Sequence, residues 1–121
     1  MKKKILVVED DKILQSVIKK TISDEGFEVV VASDGEEGVK KSLSEKPDLI
    51  LLDLLMPKKT GREVLKELRE NKETKNIPVL ILTVYSSEKS IAECVKLRIE
   101  GYLIKSEYTL DDVIKKINSI I

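Results

Sequence analysis

Residues 47–57 read Pro-Asp-Leu-Ile-Leu-Leu-Asp-Leu-Leu-Met-Pro. Four successive apolar residues, Leu49-Ile50-Leu51-Leu52, are closed by an acid, Asp53, and a proline stands at each end of the stretch. A run this short and this uniformly apolar suits a strand buried on both faces; a strand with one wet face would alternate. Pro47 ends the segment before it, and Met56-Pro57 shapes the loop beyond Asp53. A strand of this kind needs similar neighbours, and the chain supplies four: Ile5-Leu6-Val7-Val8, Val29-Val30-Val31 after Phe27, Val79-Leu80-Ile81-Leu82 and Tyr102-Leu103-Ile104.

Helical spacings fill the intervals. Leu14, Val17, Ile18 and Thr21 mark a first helix, stopped by Gly26. Val39 and Leu43 mark a second, Val64, Leu65 and Leu68 a third, and Ile91, Val95 and Ile99 a fourth that Ser86 or Ser87 can cap. Leu110, Val113, Ile114, Ile117 and Ile121 mark the last, where Thr109 and Asp112 have the spacing of a capping box. Strand and helix alternate five times. That pattern predicts an α/β fold: a parallel sheet with helices on both faces and right-handed crossovers. At this size it is the flavodoxin-like doubly wound (βα)5 arrangement, a five-stranded parallel sheet of order 2-1-3-4-5. Residues 1–121 read as a single domain, with no linker, repeat or low-complexity stretch.

Composition narrows the function. Hydrophobic residues make up 41% and charged residues 36%, a globular balance. The 22 basic and 22 acidic side chains cancel, which argues against nucleic acid as a direct partner. With no histidine there is no imidazole metal site, no Ser-His-Asp triad and no imidazole base. The single cysteine, Cys94, forms no internal disulfide and reads as a small packing residue. The basic start, Met1 to Lys4, is followed by an apolar run too short for a signal peptide, and no stretch approaches the ~20 residues of a membrane span. The expectation is a soluble, cytoplasmic protein without membrane contact.

In open α/β sheets ligands bind beyond the carboxyl ends of the strands, so the residue closing each run matters most. After the first run stand Glu9, Asp10 and Asp11; Asp53 closes the third, Thr83 the fourth and Lys105 the fifth. In the expected strand order these ends converge. Each residue alone has an ordinary reading: Asp11 as a helix cap, Asp53 as a turn residue, Thr83 as a strand end, Lys105 as a solvated amine. Together they describe chemistry. Crowded carboxylates repel unless a cation relieves them. A lysine and magnesium would do so, because magnesium takes oxygen ligands and few carboxylates, and no histidine is present for a softer metal. An ionised carboxylate can attack phosphorus without a general base and form an aspartyl phosphate. Glu9, Asp10 and Asp53 would hold the magnesium, Lys105 would add a second positive charge, and Thr83 a hydroxyl donor.

These motifs resemble response regulator receiver domains. The resemblance is carried by Val7-Val8-Glu9-Asp10-Asp11, residues 47–57, Gly61, Leu82-Thr83 and Gly101-Tyr102-Leu103-Ile104-Lys105, and it covers essentially the whole chain. It implies that Asp53 accepts phosphate from a histidine kinase, a phosphotransfer protein or a small acyl phosphate. It implies magnesium on Glu9, Asp10, Asp53 and the backbone carbonyl of Leu55, and Lys105 on the phosphoryl group. Thr83 and Tyr102 would be the switch pair, and the face built from the fourth helix, fifth strand and last helix would meet an unknown downstream protein. On this reading the protein is no enzyme beyond its own phosphorylation and dephosphorylation. The start at Met1 and the helical end favour a free-standing regulator.

Three departures from the family pattern stand out. Val84 replaces a small residue and is expected to narrow access to Asp53. Ser106 follows Lys105 where proline with a cis bond is common, so that loop is expected to be trans or strained. Leu55 and Tyr85 border the path of attacking water and offer no acid or amide, so the phosphorylated form should live long. Rival readings are weaker. A phosphatase of the haloacid dehalogenase kind needs a second acid where Leu55 stands, and a flavin or dinucleotide binder needs a phosphate loop where Glu9-Asp10-Asp11 would repel phosphate. A degenerate receiver that only binds partners is the strongest alternative.

Overall fold

The computed structural model describes residues 2–121; Met1, which entered the reading of the N-terminus, lies outside the described residues. Ten elements alternate in the expected order: β1 Lys4–Val8, α1 Lys12–Asp24, β2 Glu28–Ala32, α2 Gly35–Glu45, β3 Leu49–Leu52, α3 Gly61–Glu70, β4 Val79–Thr83, α4 Glu88–Lys96, β5 Gly101–Ile104 and α5 Leu110–Ile120. The five strands are parallel in the order β2-β1-β3-β4-β5. The doubly wound topology expected from the sequence is therefore the one observed.

The reason lies in the strands. Every residue of β3 is buried, and odd and even positions serve opposite faces. Leu49 and Leu51 join Ile5, Val7, Leu80 and Leu82 in a cluster covered by α1 and α5. Ile50 and Leu52 join Leu6, Val8, Val79 and Ile81 in a second cluster with Val64, Leu65, Leu68 and Cys94. Each fully buried Leu or Ile contributes about 1.5–3 kcal/mol. A charge introduced into β3 would have no solvated face to occupy.

Two expected core positions are corrected. Val17 (45% exposed) and Val95 (60%) lie on outer helix faces, because Ile18 and Ile22 in α1 and Cys94 in α4 take the inward positions. Ile99 lies beyond the end of α4, although it still packs against the second cluster. At the end of α1, Gly26 has φ +96°, a conformation that side chains rarely adopt, so the helix stops there.

The helix starts are chemically well specified. Asp11 caps α1 through the N–H groups of Ile13 and Leu14, and Ser87 caps α4. Thr60 with Glu63 and Thr109 with Asp112 form reciprocal capping boxes. The backbone N–H groups that these carboxylates accept from hold Glu63 below its ordinary 4.5 and Asp34 and Asp112 below 3.8. An acid whose folded pKa is lowered contributes stability above its unfolded pKa and loses it as pH falls through the folded one. Thermal stability should therefore decline once pH drops below about 4. Asp112→Asn should flatten that decline, as melting curves across the acid range would show.

Candidate functional site

The carboxyl ends of β1, β3 and β4 lie side by side because the strands pair in register: Val8 beside Leu52, and Leu52 beside Ile81. Glu9 and Asp53, the next residues of β1 and β3, therefore lie side by side, and Thr83, paired with Ile104, brings the end of β5 alongside β4. Glu9 follows β1, with its N–H on the Ala32 carbonyl at 3.0 Å. Asp53 follows β3, with its N–H on the Val8 carbonyl at 3.1 Å. Lys105 follows β5, tied by its N–H to the Thr83 carbonyl at 2.8 Å. The backbone thus fixes where each side chain begins.

Lys105 joins the two acids. Its Nζ donates to Glu9 Oε1 at 2.7 Å and to Asp53 Oδ2 at 3.0 Å. Glu9 (3% exposed) and Asp53 (5%) are nearly as buried as the core. Asp10 stays exposed, yet one carboxylate oxygen from each of Glu9, Asp10 and Asp53 lies within 4.8 Å of the others. Asp53 Oδ1 also accepts from the Leu55 N–H at 3.2 Å, and Glu9 Oε2 from the Asp11 N–H at 3.1 Å.

The electrostatics follow from three acids around one ammonium. Burial pushes the Glu9 carboxyl above its ordinary 4.5, and the nearby Asp53 charge adds to this; Lys105 and the Asp11 N–H pull the other way without prevailing. Burial also works against the Lys105 ammonium, but its bonds to Glu9 and Asp53 outweigh that and hold it above 10.5. The causes differ: burial dominates at Glu9, whereas the two carboxylate partners prevail over burial at Lys105. An all-oxygen donor set with surplus charge suits a hard divalent cation such as magnesium.

Thr83 is fully buried at the end of β4, and its Oγ1 accepts from the Tyr85 N–H at 3.2 Å. The Tyr102 hydroxyl donates to the Tyr85 carbonyl at 2.6 Å and lies 3.3 Å from Ser90 Oγ. The segment after β4 therefore connects Thr83 to Tyr102 through one residue, Tyr85, whose N–H and carbonyl are both engaged. Thr83 and Tyr102 stand out in the sequence, but this link does not, because at Tyr85 it uses backbone groups that every residue has.

Val84 is 61% exposed, Leu55 48% and Tyr85 40%. Among the described residues no peptide bond is cis, so the bond between Lys105 and Ser106 is trans, one of the two outcomes expected there.

Comparison with known proteins bears on this arrangement directly. A family model described as "Response regulator receiver domain" matches residues 5–118. The alkaline phosphatase synthesis transcriptional regulatory protein PhoP of Bacillus subtilis is 41% identical over 87% of this chain. That match spans 43% of PhoP, so the chain corresponds to less than half the length of such relatives. Response regulator Rcp1 of Synechocystis is 38% identical over 98% of this chain and 86% of its own. The chemotaxis protein CheY4 of Vibrio cholerae superposes over the full length of both chains with a TM-score of 0.92 at 29% identity. The match runs through every strand end described above, and on that ground the chain belongs to the receiver domains of two-component response regulators.

Proposed function

We propose that Asp53 is the phosphoacceptor of this receiver domain. The observation that carries the reading is the shared ammonium: Lys105 holds Glu9 and Asp53, two buried acids from different strands, at 2.7 and 3.0 Å. In the transfer, an Asp53 carboxylate oxygen forms a bond to phosphorus while the bond from phosphorus to the donor breaks. The electron pair leaves with the donor, a histidine-kinase or phosphotransfer imidazole or the carboxylate of an acyl phosphate. Glu9, Asp10, Asp53 and the Leu55 carbonyl would hold magnesium, which when bound neutralises charge on the phosphoryl oxygens. Lys105 would turn from Glu9 toward those oxygens. The protein catalyses nothing beyond its own phosphorylation and its reversal.

The switch uses the link through Tyr85. Phosphorylation replaces the single negative charge of the Asp53 carboxylate with a phosphoryl group carrying about −2, a net gain of about one negative charge together with three acceptor oxygens. The Thr83 hydroxyl would move toward the new oxygens to donate to them, and in moving would give up the Tyr85 N–H that its oxygen accepts. That frees the Tyr85 segment and the Tyr102 hydroxyl bound to it, and the face of α4, β5 and α5 then presents itself differently to a downstream protein. No helix among the described residues is long and apolar enough to cross a membrane.

Beryllofluoride with Mg2+, titrated into the protein, tests this reading. Saturable amide-shift changes around Asp53, Tyr85 and Tyr102, lost in Asp53→Asn or on chelation, would support it. An unresponsive wild type would favour a module that only binds partners. The phosphorylated form should also persist, because Leu55 and Tyr85 offer no acid or amide to orient water. Leu55→Gln, which supplies an amide to orient water, should shorten its lifetime. Decay of the purified phosphoprotein within seconds would contradict this expectation.

A further inference from the structure

The face of α1 that meets the sheet carries one residue that packing alone does not explain. Gln15 is 7% exposed beside Ile18 and Ile22, where an aliphatic side chain would suffice. Burying an amide costs free energy unless it is hydrogen-bonded. Its Nε2 lies 2.9 Å from the Glu9 carbonyl, 3.2 Å from the Ala32 carbonyl and 3.2 Å from Ser33 Oγ. These acceptors sit where the chain leaves β1 and β2, next to the acidic turn. The Ala32 carbonyl also receives the Glu9 N–H at 3.0 Å, so one small network holds both backbone groups of Glu9.

What this network fixes is the peptide joining Glu9 to Asp10. That peptide carries the backbone from which two of the three grouped acids, Glu9 and Asp10, extend. The Asp11 N–H already orients the Glu9 carboxylate through Oε2. Gln15 acts on the other side of the same turn, on the backbone, and touches no acid directly. Groups that orient the ligands of a metal in this manner typically change its affinity by about 10–100-fold.

We propose that Gln15 is a positioning residue that holds Glu9 and Asp10 in the arrangement that takes a divalent cation. The proposal rests on the metal-dependent phosphoacceptor reading above and deepens it.

Gln15→Met keeps the length and bulk of the side chain and removes the donor. Mg2+ titrated into the folded variant, followed through backbone amide shifts, should show affinity weakened by about 10–100-fold. Ile22→Val, which trims the same helix away from the turn, should lower the melting temperature and leave Mg2+ affinity unchanged. Should Gln15→Met not fold, Gln15→Asn, one methylene short of the Glu9 carbonyl, should weaken Mg2+ binding by several-fold. Wild-type Mg2+ affinity in either folded Gln15 variant would overturn the proposal, however much stability is lost, because it would make Gln15 a purely structural amide. A wild-type protein without a saturable Mg2+ response would instead overturn the reading of the site, and this proposal with it.

Discussion

In Lys105→Ala, phosphoryl uptake by Asp53 is expected to fall by about 10²–10³-fold, the usual effect of removing one preorganised donor from a developing anion. The structure supplies a second consequence. Glu9 and Asp53 would remain 3% and 5% exposed with no ammonium between them. Removing one partner of a buried ion pair costs about 3–5 kcal/mol, and because the Lys105 side chain keeps 18% of its exposure the lower end applies. The loss should depend on pH. Glu9 already has a raised pKa, and without the lysine bond that lowers it the shift grows. An acid whose folded pKa is raised binds its proton more tightly when folded, so stability falls as pH rises from the unfolded value of 4.5 through the folded one. Lys105→Ala should therefore be most stable in mild acid, and at neutral pH Mg2+ should recover part of the loss. Denaturant melts at both pH values, with and without Mg2+, would show this. Equal stability of the variant and wild type throughout would mean that the Lys105 contacts carry little energy.

Gly61→Ala should be among the most damaging single-methyl additions available to this chain. A Cβ at Gly61 would lie 2.3 Å from the Asp53 carbonyl oxygen and 2.6 Å from the Leu54 Cα. Both are backbone atoms, so no side-chain rotation relieves the clash. The start of α3 is pressed against the end of β3, with the Gly61 N–H on the Leu54 carbonyl at 3.0 Å. Overpacking of this kind costs about 1–3 kcal/mol, and more where only backbone can yield. The displaced segment carries Asp53, so phosphoryl uptake should decline as well. Gly26 is a useful contrast: nothing lies within 4 Å of its Cβ position, and its cost comes only from φ +96°. Gly26→Ala should then lose about 1–2 kcal/mol and leave Asp53 chemistry intact. Urea unfolding of the two variants, paired with phosphorylation rates, separates the mechanisms; a Gly61→Ala protein with wild-type stability and rate would contradict the close-contact account.

Most of the fold was legible because its strands are buried on both faces, so Leu49-Ile50-Leu51-Leu52 and its counterparts stand out as short apolar runs. Strand order followed from their number and alternation, and the convergence of Glu9, Asp53 and Lys105 followed from strand order. Helix faces were less legible. Val17 and Val95 have the spacing of core residues yet face outward, since a 3.6-residue period tolerates several stripes and only the sheet selects one. Polar residues that act on backbone left no signal. Gln15 is one. Arg69 is another: its guanidinium reaches the carbonyls of Ile77, Leu97 and Arg98 and thereby ties the end of α4 to the segment before β4. In sequence both look like ordinary polar helix positions, because their partners are backbone carbonyls, which every residue has.

The most direct test of the central claim locates the phosphoryl group. The protein is incubated with acetyl phosphate and Mg2+, reduced with borohydride to trap the acyl phosphate, digested, and its peptides are sequenced by mass spectrometry. One modified residue is expected, Asp53, with no modification in Asp53→Asn or when the metal is chelated. An unmodified wild type, or a label on another residue that survives in Asp53→Asn, would contradict the central claim.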